Sequence, residues 1–93
     1  MDIRAQFGLT LQRLRRDRKF SQETLAADTE IDRAYIGRLE RGEANPTLVL
    51  MARIALCLDV SVADLARDIR ADLPEAIPQN KPKPRRRRRK PSR

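Results

Sequence analysis

The chain has 93 residues with 21 Lys or Arg, 13 Asp or Glu and a formal net charge of +8, and its length suits one small domain. With one cysteine and no histidine, the chain cannot form an internal disulfide or a Cys/His metal site. Without histidine, a metal-binding cluster or a phosphate-binding glycine loop, no catalytic site can be assembled. No apolar run approaches the roughly 18 residues of a membrane span, and no signal-peptide pattern occurs. We therefore expect a cytoplasmic protein that is not an enzyme and uses no metal, cofactor or small-molecule ligand.

Apolar residues at helical spacing predict five helices, and no alternating strand pattern occurs, so the expected fold class is all-α. Ser21, Asp32 and Thr47 each precede an apolar segment as N-caps, and Ser61 starts a further S-x-x-D capping pattern. Gly42 lies where a left-handed residue ends a helix. The predicted helices span residues 3–18, 22–28, 33–41 and 48–58, with a fifth beginning after Ser61.

The chain changes character from about Leu73 onward, where prolines become frequent and apolar residues nearly vanish. Residues 81–93 hold nine of the 21 Lys and Arg and none of the 13 Asp and Glu, so this segment carries +9 and the remainder carries 12 − 13 = −1. We therefore expect a folded domain over residues 1–72 and a disordered basic tail over residues 73–93. Sequence-independent nucleic-acid contacts are predicted for Arg85, Arg86, Arg87, Arg88, Arg89 and Lys90. An RNA contact, a nuclear-localisation-like segment and a solubilising tail remain alternatives.

Three stretches carry a family resemblance: SQETLA at residues 21–26, IDRAYIGRLERG at 31–42 and NPTLVLMARIALCLDVSVADL at 45–65. Together they resemble the lambda-repressor-like helix-turn-helix family, which includes Cro and the XRE-like regulators. Within that family, DRAYIGRLERG is most similar to the controller proteins of restriction-modification systems. The resemblance implies a compact five-helix DNA-binding domain of bacterial or phage type, in the cytoplasm and associated with the nucleoid. The family often has Gly at the ends of its first two helices, where this chain has Lys19 and Glu30.

In this motif the third helix lies in the major groove of double-stranded DNA. The family's base-contact positions carry over to Arg33, Ala34 and Arg38, while Asp32 matches a fourth position whose capping role dominates. Each arginine side chain has the fork that recognises the O6 and N7 acceptors of guanine. Ala34 and Gly37 have little side chain, which would let the helix approach the groove closely. A solvated helix face remains the alternative for the arginines.

The resemblance also implies contacts that position the helix without reading bases. Gln22 matches the family's phosphate-binding glutamine, and Glu40, close to the buried side, matches a carboxylate paired with Arg15. For Tyr35, packing of its ring against the second helix is an equal alternative to a phosphate contact. The predicted phosphate contacts are Gln22, Tyr35, Arg41 and Gln12.

The fourth helix is apolar on nearly every side, which predicts burial on more than one side. We expect one face, with Leu48, Met51, Ala55 and Leu58, to join the core. The other sides would then form a homodimer interface, which we assign to Val49, Leu50, Leu56 and Cys57, completed by the fifth helix. Two recognition helices about 34 Å apart would read a near-palindromic operator.

These features favour a sequence-specific transcriptional regulator acting as a homodimer, with repression favoured over activation because occluding a promoter needs no further surface. One alternative is an accessory or architectural nucleic-acid-binding protein whose basic tail dominates binding. Another is an antitoxin, in which a toxin covers the apolar surface. The sequence identifies no protein partner beyond a second copy of the chain.

Overall fold

Five α-helices and one 3-10 turn make up the computed structural model, which describes residues 1–71 and 74–78. Their bounds are α1 Ile3–Asp17, α2 Gln22–Thr29, α3 Arg33–Glu40, α4 Leu48–Leu58, α5 Val62–Ala66 and the 3-10 turn Pro74–Ala76. The described residues contain no strand, so the all-α prediction is confirmed, with helix ends within one residue of those expected. None of these helices is long and apolar enough to cross a membrane.

Side chains just before the helices cap their N-terminal ends. The hydroxyls of Ser21, Thr47 and Ser61 each accept a hydrogen bond from the backbone N–H three residues later, at 3.0 Å in each case. The Asp32 carboxylate caps α3 by accepting from the N–H two residues later, and Asp2, which the sequence reasoning missed, caps α1 in the same way. Because the first N–H groups of a helix have no partner within it, these caps fix where each helix begins.

Several helices are followed by a residue whose backbone lies in the left-handed region. Gly42 has a φ of 78°, as expected of a residue that ends a helix. Lys19 and Glu30, at the positions where the family often has Gly, have φ values of 64° and 61°, and Asp59 at the end of α4 has 59°. A side chain in this region costs about 1 kcal/mol relative to Gly, so the fold carries a small strain at these ends.

The core draws fully buried side chains from all five helices, and they are Leu11, Leu25, Ile36, Leu39, Ile54, Leu58 and Leu65. Gly8 marks the closest approach between α1 and α3, because a Cβ atom there would lie 2.5 Å from the carbonyl oxygens of Leu39 and Glu40. The end of α3 is therefore held directly against the backbone of α1, and the opposite side of α3 is left open.

Leu48 does not join the core as expected, because 70% of its surface is exposed. The buried stripe of α4 runs through Ile54, Ala55 and Leu58. At 3.6 residues per turn, Leu48 lies only about 20° around the helix from Ala55, so its exposure follows from its place at the start of α4 and not from its angular position.

The chain beyond α5 is fastened to α1. The side-chain amide of Gln6 donates to the carbonyl of Arg70 at 2.9 Å and accepts from its N–H at 2.6 Å. Further on, within the segment predicted as tail, residues Pro74–Ala76 form the 3-10 turn, in which Ala76 is only 3% exposed. The predicted boundary at residue 72, and the rest of the tail with its contacts from Arg85 to Lys90, lie outside the described residues.

Candidate nucleic-acid interface

One face of α3 is anchored and the other is open. Ile36 and Leu39 are fully buried, whereas Ala34 and Arg38 are exposed on the opposite side and Arg33 is exposed at its edge. Three residues separate α2 from α3, and the Asp32 carboxylate fixes the start of α3 by accepting from the Ala34 N–H at 3.0 Å. The fold thus brings the three predicted base-contact residues onto one exposed face of the second helix of a helix-turn-helix.

A buried ion pair lies behind this face. The Arg15 guanidinium donates to both oxygens of the Glu40 carboxylate at 2.5 and 3.1 Å, and the two side chains are 8% and 2% exposed. Burial raises the pKa of the Glu40 carboxyl, but hydrogen bonds from Arg15 and Gln22 outweigh that effect and lower the pKa below its ordinary value. Gln12, a predicted phosphate contact, is half-buried beside the same carboxylate and lowers its pKa further.

Gln22 connects this ion pair to the open face. Its amide nitrogen donates to Glu40 at 3.0 Å, and its amide oxygen accepts from the Arg33 guanidinium at 3.0 Å. The second N–H of the amide is still available to a phosphate, because the carboxylate takes one of the two. Arg33 also lies 4.0 Å from the carboxylate of Glu23.

Arg38 and Tyr35 are tied to the loop that follows α3. The Arg38 guanidinium lies 5.7 Å from the centre of the Tyr35 ring and donates to the backbone carbonyl of Glu43 at 3.2 Å. The half-buried Tyr35 packs against the core and donates its hydroxyl to the carbonyl of Asn45 at 3.2 Å. Ring packing and a polar hydroxyl therefore coexist, and the hydroxyl oxygen retains lone pairs for another donor.

Gly37 is not the open surface that the sequence suggested. It is buried, and a Cβ atom there would lie 3.2 Å from the Arg41 guanidinium and 3.8 Å from the Gln22 amide oxygen. Arg41 therefore folds back along α3, so its guanidinium lies over the middle of the helix. The Glu43 carboxylate, which the sequence reasoning missed, lies 3.2 Å from this guanidinium, and its position two residues after Arg41 was the available signal.

The outer side of α4 is largely apolar. Val49 is 68% exposed and Leu56 is 83% exposed, whereas Leu50 and Cys57 are half-buried. Leu48 extends the exposed strip at the start of the helix. Burial raises the pKa of the Cys57 thiol, which favours its neutral form.

Comparison with known proteins places these features in a family. The profile of the Helix-turn-helix family HTH_3 matches residues 11–65. The control protein C.MunI of a Mycoplasma species is 36% identical over 69 residues, covering 73% of this chain and 93% of that protein. The uncharacterized HTH-type transcriptional regulator y4dJ of Sinorhizobium fredii is 37% identical over 65 residues, covering 70% of this chain and 84% of that protein.

Solved structures agree with the sequence matches. The restriction-modification controller protein C.AhdI from Aeromonas hydrophila superposes with a TM-score of 0.65 and 40% sequence identity, covering 67% of this chain and 94% of that chain. The expected resemblance is confirmed across the region that contains α2, α3 and α4. The chain belongs to the XRE-like helix-turn-helix family, and the relatives it matches include control proteins and transcriptional regulators.

Proposed function

We propose that the protein is a sequence-specific DNA-binding transcriptional regulator that inserts α3 into the major groove. The observation that carries this proposal is the exposed face of α3, where Ala34 and Arg38 lie opposite a buried anchoring side and Arg33 lies at the edge of the face. Exposed arginine forks on a rigid helix suit guanine recognition. The names of the matched relatives, which include control proteins and transcriptional regulators, support the same class of function.

The proposed functional unit is a homodimer on a near-palindromic operator. Val49 and Leu56 expose most of their apolar surface on α4, and such surface in a small domain is best explained by a partner. A two-fold axis beside α4 would pair two copies of α3 with two half-sites. Repression is the favoured output because an occupied promoter is blocked without any additional protein surface.

Selection of binding sites from random duplex DNA with the full chain tests the proposal. We expect one near-palindromic sequence to be enriched and bound at least about 10³-fold more tightly than random DNA. The double variant Arg33→Ala, Arg38→Ala should lose that preference while keeping its fold, because both side chains are exposed. Failure of the wild-type protein to prefer any sequence would contradict the proposal.

A second candidate is an architectural or accessory protein bound to nucleic acid mainly through its basic tail. The charge distribution favours this alternative, since residues 81–93 carry +9 and the remainder carries −1. In that case the affinity for random and selected DNA would be nearly equal. The same selection experiment therefore separates the two functions.

A further inference from the structure

Glu43 contacts α3 through its backbone and contacts Arg41, the residue that follows α3, through its side chain. Its N–H donates to the carbonyl of Arg38 at 2.8 Å, and its own carbonyl accepts from the Arg38 guanidinium at 3.2 Å. The left-handed Gly42 turns the chain so that these two bonds form. The position of Glu43 beside the helix is thus fixed by the backbone, and its carboxylate is carried to the same side as the predicted DNA contacts.

The Glu43 carboxylate lies 3.2 Å from the guanidinium of Arg41. The other amino group of Arg41 lies over Gly37, beside the amide of Gln22. One acidic group is therefore placed beside the guanidinium that lies over Gly37, among residues predicted to meet phosphates. The Arg41 and Glu43 side chains are 59% and 54% exposed, so both are accessible to an approaching duplex.

We infer that Glu43 limits the sequence-independent DNA affinity of the α3 face by keeping Arg41 paired within the chain. The inference rests on the proposed function only in requiring that this face meets DNA. An arginine gains affinity for any duplex by neutralising one phosphate and releasing its counterion. Because Arg41 is paired with the Glu43 carboxylate, a phosphate that binds Arg41 must displace this carboxylate. The bound phosphate then lies close to an unpaired negative charge.

The distances make this competition effective even though the pair is exposed. An exposed ion pair is weak, so the Arg41–Glu43 contact does not lock the side chain. Repulsion between carboxylate and phosphate acts over about 10 Å at 0.1 M salt, which exceeds the 3.2 Å between the two side chains. A phosphate close enough to bind Arg41 is therefore close enough to be repelled by Glu43.

The test is a double-mutant cycle in the full-length chain, measured on random-sequence duplex DNA at several salt concentrations. Glu43→Gln keeps the size of the side chain and its backbone contacts, and we expect affinity to rise about two- to eightfold at 0.1 M salt. The slope of log affinity against log salt concentration should become steeper by up to about 0.9, which is the value for one additional neutralised phosphate. Adding Arg41→Ala to Glu43→Gln should abolish most of this gain.

Asp59→Asn is the matched control, because it removes one exposed carboxylate from the end of α4 and Asn tolerates the left-handed backbone. Thermal unfolding of each variant establishes that the fold is retained. The inference is overturned if Glu43→Gln has no effect, if Asp59→Asn produces the same gain, or if the gain persists without Arg41. Because the duplex has a random sequence, this test does not depend on an operator. If the wild-type protein selected no operator, the proposed function would fail, but a positive result here would still support the role of Glu43.

Discussion

The buried pair of Arg15 and Glu40 is the residue-level feature on which the position of α3 depends most directly. Glu40→Ala would leave the Arg15 guanidinium without its carboxylate, and breaking a buried pair in this way costs about 3–5 kcal/mol. We expect the free energy of unfolding, measured with urea, to fall by that amount. A variant that unfolds like the wild type but loses base discrimination would contradict this structural role.

The lowered pKa of Glu40 gives the same pair a pH dependence. Because the folded-state pKa lies below the unfolded-state pKa, the carboxylate contributes stability above the unfolded value, and this stability is lost as pH falls through the folded value. The difference in unfolding free energy between the wild type and Glu40→Gln should therefore shrink as pH falls below about 4.3. A difference independent of pH would mean that the ionised carboxylate is not the stabilising group.

Arg38 is the residue whose replacement reports most directly on base reading. Arg38→Ala removes a guanidinium that is exposed and, within residues 1–71 and 74–78, contacts the Glu43 carbonyl and the Tyr35 ring. On operator variants changed one base pair at a time, we expect discrimination to drop by about 1–3 kcal/mol at one position. Equal weakening on every variant would instead identify Arg38 as a phosphate contact.

At the level of whole helices, the contact between α1 and α3 is made possible by Gly8. In Gly8→Ala the new Cβ would lie 2.5 Å from two backbone carbonyl oxygens, which cannot rotate away as a side chain does. We expect a loss of about 1–3 kcal/mol in unfolding free energy, measured with urea, from the forced separation of the helices. Gly37→Ala is the control, because there the atom nearest to the new Cβ is the flexible end of the Arg41 side chain. Since alanine has a better helix propensity than glycine, we expect this change to raise the free energy of unfolding by about 0.5–1 kcal/mol. Equal effects of the two changes would contradict the close contact.

The helices and four of their five N-caps were predicted, because both depend on residues near each other in the chain. Ser21 and Thr47 bond the N–H groups three residues on, and that chemistry is visible in sequence. The exposed position of Leu48 was not predictable, since the packing of the other helices decides how far the buried stripe of α4 extends toward its first turn. The bond between Gln6 and Arg70 joins residues 64 apart and has no local signal.

At the candidate site, the sequence placed the exposed arginines correctly but not their partners. Arg38 faces outward because Ile36 and Leu39 anchor the other side, and helical spacing determines this. Arg33 is exposed at the edge of that face, at the first position of α3. The return of Arg41 over Gly37 depends on side-chain torsions, which spacing does not specify.

At the scale of the whole molecule, the positive charge and the helix-turn-helix are separate parts of the chain. Deleting residues 81–93 removes nine positive charges and leaves the described residues intact. We expect the dependence of DNA affinity on salt to flatten, by about 0.9 in slope for each phosphate that the tail neutralises. The preference for operator over random DNA should persist. An unchanged slope would show that the tail does not touch DNA.

The proposed dimer depends on the exposed face of α4, where Leu56 is 83% exposed in the single chain. A two-fold interface would bury this side chain twice, and burial of one leucine contributes about 1.5–3 kcal/mol, so Leu56→Glu should weaken dimerisation at least about 10²-fold. Leu9→Glu is the matched control, since Leu9 is 54% exposed but lies on α1. In sedimentation equilibrium at micromolar concentration, we expect the wild type and Leu9→Glu to be dimers and Leu56→Glu to be a monomer. Operator affinity should fall when dimerisation is lost, because a single copy of α3 reads only one half-site. A wild-type chain that stays monomeric at and above this concentration would contradict the dimer and leave the apolar face of α4 for a different protein partner.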